Sequence, residues 1–317
     1  MRAALLALLA LILLSTLSLL VGATGLDARS LTNGEAWALI RDSRLPRLLA
    51  ALLTGASLAI AGQIMQLIAR NRFVEPMTAG TGQSAILGIL LVSMLLPGAS
   101  VALKMALASS VALAGSLGFF AITQRLPPAQ PLLVPLVGLV YGGVIGAGTA
   151  YVAFQADMLQ YLEIWTSGEF SGTMRGRYEL LWLAGLAVVF SYLVADQFSI
   201  LGLGQEVSLN LGLNYRQVVM SGLVVIALVT GLTVVTVGMI PFIGLVVPNL
   251  VSRLAGDNLR RSLPVTALAG AALVLAADLL GRLVIHPFEI PASTVIGIIG
   301  AAVFLWMLYG KGSAHAA

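Results

Sequence analysis

Residues 238–264 read GMIPFIGLVVPNLVSRLAGDNLRRSLP, and the fold turns on what this run can be. It is apolar and carries Pro241 and Pro248. It ends in a basic patch with Arg253, Asp257, Arg260 and Arg261, before a further apolar run that starts near Pro264. A proline inside a helix removes a hydrogen bond and crowds the preceding turn, so Pro241 and Pro248 predict a span broken into short pieces. Within a bilayer, broken backbone is tolerated only where protein or a water-filled cavity covers it. The basic segment between two spans then reads either as an exposed knob that docks on a soluble partner or as an ordinary loop after a kinked helix.

The rest of the chain has the composition of a membrane protein. Of its 317 residues 59% are apolar and 9% charged, whereas a soluble domain carries about 25% charged residues. The net charge of +4 is scattered between apolar runs, which excludes the clustered basic face that nucleic-acid binding needs. Without cysteine there are no disulfides or thiolate metal sites, and the histidines are His286 and His315 alone. The N-terminal run 3–23 could be a signal peptide cleaved after Ala23. Its length matches the roughly 20 residues of a bilayer span, and it reads better as a retained first helix.

Apolar runs predict ten spans at 3–23, 48–68, 78–96, 100–121, 131–154, 180–195, 217–236, 237–251, 264–281 and 291–309. The seventh and eighth come from one stretch of 35 residues, 217–251, which needs a tight reversal near Gly238. Residues 155–179 are too polar to span, and Tyr161, Trp165, Phe170 and Tyr178 suit an interfacial segment. The fold class is therefore all-α integral membrane, and the whole chain, 1–317, reads as one polytopic domain.

Ten spans put both termini on one side. With those inside, nine Lys/Arg fall inside and eight outside, so the positive-inside rule decides nothing. The surplus outside, including Arg44, Arg47 and Arg282, suggests cations with an outward task. In the second span, Gly55, Ala59 and Gly62 line one face with small side chains, which lets another helix come close. Gln63 and Gln66 add polar groups to the same span, and Asp278 is a carboxylate inside the ninth. Intramembrane ionisable groups are costly and so are functional suspects. Arg282 follows Asp278 by four residues and can pair with it on one helix face.

A membrane enzyme would need a second convergent carboxylate or a metal motif, and neither occurs. Residues 310–313, GKGS, lack the spacing of a phosphate-binding loop. The chain thus reads as a transport pore with its energy supplied from elsewhere. A secondary transporter that uses Asp278 as its ion-binding group is the rival.

The chain resembles the permease family for iron–siderophore, haem and vitamin B12 uptake. The resemblance rests on Arg44-Leu-Pro-Arg47 followed by Asn71-(x)3-Glu75-Pro76, on the opening GMIPFIGLVVPNLVSR block, and on Asp278-(x)3-Arg282 with Glu289-Ile-Pro291-(x)5-Gly297. It implies a ten-helix subunit of the vitamin B12 importer type (a type II ABC importer) in the bacterial inner membrane. The implied assembly pairs this chain with a second permease subunit, identical or similar. It adds two ATP-binding-cassette ATPases and a periplasmic or lipid-anchored binding protein, and no cofactor. By motif position Arg44, Arg47 and Arg282 would dock the binding protein through bidentate carboxylate pairing. Pro248, Asn249, Arg253, Asp257, Arg260 and Arg261 would form the coupling segment on the ATPase. Asn71, Glu75 and Pro76 form a cytoplasmic loop motif without an assigned role.

The sequence departs from the family twice. Asn249 stands where relatives have histidine, and Ala301-Ala302-Val303-Phe304 replaces a Gly-x-Pro-x-Phe kink. The block RNRFVEPMTAGT is similar to the branch that handles catecholate or mixed ferric siderophores, ahead of haem and cobalamin. The small or apolar faces of the second and fifth spans are expected to line the path.

Overall fold

In the computed structural model, residues 2–21, 35–126, 132–256, 258–285 and 287–309 are described, and among them every regular element is helical. The helices of six residues or more are α1 (Arg2–Leu20), α2 (Leu45–Ile68), α3 (Thr81–Leu95), α4 (Val101–Thr123), α5 (Leu133–Gln155), α6 (Leu159–Thr166) and α7 (Leu181–Leu193). They continue with α8 (Ala195–Gly202), α9 (Gln205–Asn210), α10 (Tyr215–Val237), α11 (Ile243–Ala255), α12 (Leu259–Val284) and α13 (Ala292–Tyr309). α2, α4, α5, α10 and α12 are long and apolar enough to cross a bilayer alone. The pair α7–α8 passes together but bends by 68°, and α1, α3, α11 and α13 are shorter apolar helices. In chain order these helices match the ten predicted apolar runs, consistent with about ten spans in a multi-pass membrane protein.

The bundle is organised around α2, which packs against α7, α10, α11 and α12. Its small-residue face explains how. A Cβ at Gly55 would strike the backbone of Gly270 in α12, and one at Gly62 would strike the backbone of Gly244 in α11. Each crossing is thus a backbone-to-backbone approach, in which dispersion contacts replace the hydrophobic drive that lipid does not supply. α5 is the opposite case. It is apolar all round, yet Leu136, Leu139, Val140 and Val144 all face outward, as on a helix whose neighbours are lipid or another subunit.

Of the two prolines in the deciding stretch, Pro241 lies in the break that it predicts, whereas Pro248 does not break its helix. The break between α10 and α11 is the five non-helical residues 238–242, with left-handed backbone at Gly238 (φ 84°) and Phe242 (φ 69°). Pro248 then lies inside α11 without interrupting it. Its missing N–H leaves the Gly244 carbonyl without the usual i−4 partner, and the Gln66 side chain donates to that oxygen at 3.1 Å. Pro46, at the start of α2, is handled in a similar way. The Asp42 carbonyl accepts the Arg175 backbone N–H at 3.2 Å, beside a π-helical turn over Ile40–Arg44. α13 runs unbroken through Ala301 and Ala302, as the loss of the family's proline predicts.

The polar segment 155–179 holds α6, where Tyr161 and Trp165 lie with ring centroids 6.1 Å apart. Its tail is sewn to the crossing at Gly238. Glu169 donates its N–H to the Val237 carbonyl, and Met239 donates to that of Trp165. The helices α8 and α9 have no counterpart in the sequence reading.

Candidate functional site

Polar side chains gather at the two ends of the α2–α12 pair. At the end where α2 begins, Arg47 sits between two carboxylates. Its Nη2 lies 2.7 Å from Asp278 Oδ1 and 2.8 Å from Glu289 Oε2, while Nη1 reaches Glu289 Oε1 at 3.1 Å. Asp278 also accepts from Arg282 Nη2 at 2.6 Å, so the four-residue pair that the helical spacing allows is made. Two cations and two anions balance, and Asp278 and Arg282 are buried. A buried ion pair in such a neutral, hydrogen-bonded set avoids the cost of an uncompensated charge. Glu289, on the loop before α13, is the accessible edge of the set. Burial works to raise its pKa, but the Arg47 hydrogen bond and charge outweigh this and hold it below the ordinary carboxylate value.

The same end closes off α1. Helix C-termini leave carbonyls without intrahelical donors. Here Arg44 Nη1 donates to the Leu19 and Leu20 carbonyls at 2.6 and 3.0 Å, and Arg282 Nη1 donates to that of Val21 at 2.9 Å. Arg282 Nη2 also donates to Ser18 Oγ at 2.8 Å. Cations at a helix C-terminus also oppose its dipole favourably. Arg44, Arg47 and Arg282, expected as outward-facing cations, are thus largely enclosed and engaged within the chain.

At the opposite end, α11 ends at Ala255 and α12 begins at Leu259, so the two helices meet in a short turn. Asp257 lies outside the described residues. Gly256 (φ 77°) ends α11, and Asn258 caps α12 by accepting the Arg261 N–H at 3.1 Å. Arg253, Arg260 and Arg261 are exposed here, in the last turn of α11 and the first of α12. Arg253 lies 5.0 Å over the ring of Trp306. Arg260 pairs with Asp196 of α8 at 2.5 Å and lies 6.0 Å from the ring of Tyr192. The sequence reading missed Asp196, which stands beyond the sixth span in a segment without apolar periodicity.

Behind this turn, a cavity of about 500 Å³ opens between α2, α8, α11 and α12, lined by Gln63, Gln66, Arg70, Asn71, Asn249 and Ser262 among others. Its polar walls tie the helices together. Gln63 donates to Ser262 at 3.1 Å, and Asn249 donates to the carbonyls of Arg72 and Leu245, both at 2.7 Å. The loop 69–80 folds inward, with Asn71 Oδ1 accepting the Phe73 N–H at 2.8 Å and Pro76 buried. Glu75 is 1% exposed, and one carboxylate oxygen accepts the Phe242 N–H at 2.7 Å. Among the described residues, no three His, Asp or Glu side chains converge as a metal site.

A family model described as the FecCD transport family matches residues 8–310. The petrobactin import system permease protein YclN of Bacillus subtilis is 44% identical over 301 residues, which cover 94% of this chain and 95% of that one. The ferric-anguibactin transport system permease protein FatD of Vibrio anguillarum is 40% identical, with 87% and 88% covered. A vitamin B12 import permease of Vibrio cholerae stands at 33%, with 92% and 89% covered. Among solved structures, a metal-chelate type ABC transporter in an inward-facing conformation superposes with a TM-score of 0.80. It shares 23% identity and covers 98% of this chain and 99% of its own, a likeness of fold.

Proposed function

The chain belongs to the FecCD transport family, and from that premise we propose that it is the membrane-spanning permease of an ATP-driven importer that carries a ferric siderophore across the bacterial inner membrane. The 44% identity to a petrobactin permease over nearly the full length of both chains carries this reading. Two further relatives at 37% and 40% identity are also named for siderophores, and the vitamin B12 permeases stand lower. Hydrolysis of ATP falls to separate ATPase subunits, since residues 310–313 lack a phosphate-binding loop's spacing. A second permease subunit would cover the exposed face of α5 and complete the path.

The α11–α12 turn with Arg253, Arg260 and Arg261 on the flanking helix ends, and with Pro248 and Asn249 behind them, would seat on the ATPase. The end holding Arg44, Arg47 and Arg282 would receive the binding protein. Because those arginines already have partners inside the chain, docking there would exchange one carboxylate for another rather than capture free charges.

The test is uptake of a labelled ferric siderophore by cells with and without this chain. Uptake should be lost on deletion, restored by the wild type and not restored by Arg253→Glu. Unchanged uptake on deletion would rule out the siderophore assignment, and labelled haem and cobalamin would be tried next.

A further inference from the structure

Glu75 has no part in that scheme, yet its setting is unusual. It lies on the loop between α2 and α3, outside the spanning helices, and its carboxylate is enclosed at the first turn of α11. Besides donating from Phe242, the helix start faces it with the N–H groups of Gly244 and Leu245, the second and third residues of α11, which favour its charged form. A helix N-terminus leaves its first N–H groups without i−4 partners, and none of the residues just before α11 is Ser, Thr, Asp or Asn. A side chain from 167 positions away does the capping instead. The left-handed Phe242 (φ 69°) turns its N–H towards it, and Gly300 of α13 makes room for the Phe242 ring.

Two more links run in parallel between α11 and the α2 region. Gln66 holds the Gly244 carbonyl, and Asn249 holds that of Arg72. Both act on carbonyls, whereas Glu75 accepts the Phe242 N–H at the N-terminal end of α11. We infer that Glu75 is a positioning residue: its carboxylate pins the start of α11 to the loop after α2, so that the far end of α11, with Arg253, moves as one body with α2. This rests on the reading of the α11–α12 turn as the ATPase contact.

The charged form is the better cap, because an ionised acceptor bonds more strongly and complements the positive helix end. Burial opposes ionisation, and the backbone N–H groups only partly restore it, which leaves the carboxyl pushed up to about 7. No charged side chain contributes to this shift. The nearest by element are Arg70 and Arg72 of its own loop, Arg253 at the far end of α11, and Arg260 and Arg261 at the start of α12. α2 beyond Arg47 and α13 carry no ionisable Asp, Glu, Lys or Arg.

The experiment uses the complete transporter in proteoliposomes and compares wild type, Glu75→Gln and Glu75→Ala. One arm follows hydrogen exchange of peptides covering 239–247 and 48–66. The other follows siderophore taken up per ATP hydrolysed between pH 6 and 8. Glu75→Ala should lose protection over 239–247 at least tenfold with 48–66 unchanged, and should hydrolyse ATP with several-fold less uptake. In the wild type, uptake per ATP should rise across about pH 7 as the carboxyl ionises. Glu75→Gln, which keeps the shape and a neutral acceptor, should lose less protection than Glu75→Ala and show a flat profile near the wild-type level at pH 6. Wild-type protection in Glu75→Ala overturns the inference. So does an unaltered pH profile in Glu75→Gln, which decides the matter if the alanine variant does not assemble. If the wild-type transporter shows no ATP-driven siderophore uptake, the functional reading fails, and the exchange arm still decides the pin.

Discussion

Arg47 and Asp278 lie 231 residues apart in the chain and meet at 2.7 Å, with Glu289 closing the other side of the same guanidinium. The pairing fastens the start of α2 to α12 and to the loop before α13. It also turns an arginine that the sequence places at a membrane edge into part of the framework.

Removing one member should cost more than removing a surface charge. Breaking a buried pair strands the partner and costs about 3–5 kcal/mol. Arg47→Ala and Asp278→Ala should each lower the midpoint of thermal unfolding in detergent. The double variant should be less destabilised than the sum of the two, because neither charge is then left alone. Additive effects would mean that the two side chains do not act as a unit.

Glu289 gives the set a pH dependence. Its folded pKa is depressed, so the stability it contributes is present above the unfolded value and is lost as pH falls through the folded one. Unfolding followed downward from pH 7 should therefore show a loss of stability below about pH 4.5. The loss should be smaller in Glu289→Gln.

Docking by exchange predicts opposite effects for the two sides of the network. Arg47→Glu should weaken binding of the partner protein to the reconstituted transporter, most at low ionic strength where screening is weakest. Glu289→Gln frees part of Arg47 and should leave binding as strong or stronger. Equal weakening by both would point to a structural role for the network and no docking role.

Gln66 and Pro248 form a linked pair through the Gly244 carbonyl. Gln66→Ala should destabilise by about 1–3 kcal/mol, because a buried acceptor is left unmatched. Adding Pro248→Ala supplies a backbone N–H to that same oxygen and should recover much of the loss. A double variant as unstable as Gln66→Ala would show that the side chain acts elsewhere.

At the backbone crossings, Gly62→Val should push α2 away from α11 and cost roughly 1–3 kcal/mol or more by overpacking. Gly143→Ala on α5, where a Cβ would meet open space, should be neutral in the same melting assay.

How much of this could be read from the sequence follows from how local each feature is. Most of the apolar helices were legible as separate apolar runs, the pair within 217–251 was divided at Gly238, and Gly55 and Gly62 announced their close approaches by their spacing. Pro248 was misread because proline breaks a helix only where no other donor serves the stranded carbonyl, and Gln66 supplies one from another helix. The pairing of Arg282 with Asp278 was legible from its four-residue spacing, but the partners of Arg44 and Arg47 were not, since nothing local links Arg47 to Asp278 or Arg44 to the end of α1. Asn71, Glu75 and Pro76 could be seen only as a pattern, and the helix that Glu75 caps lies far along the chain. α8 and α9 are short and polar, below what apolar periodicity can register.

The wide separation of Arg47 from its carboxylates also bears on how the protein is made. Chains emerge from their N-terminus first, so α2 enters the bilayer long before Asp278 exists. An arginine at the third position of its helix can wait, since its long side chain reaches back to the headgroups. Asp278 arrives with its own counter-ion one turn behind it in Arg282. The order of synthesis therefore never requires a lone charge deep in lipid, and α2 can stand as the post against which the last third of the chain is assembled.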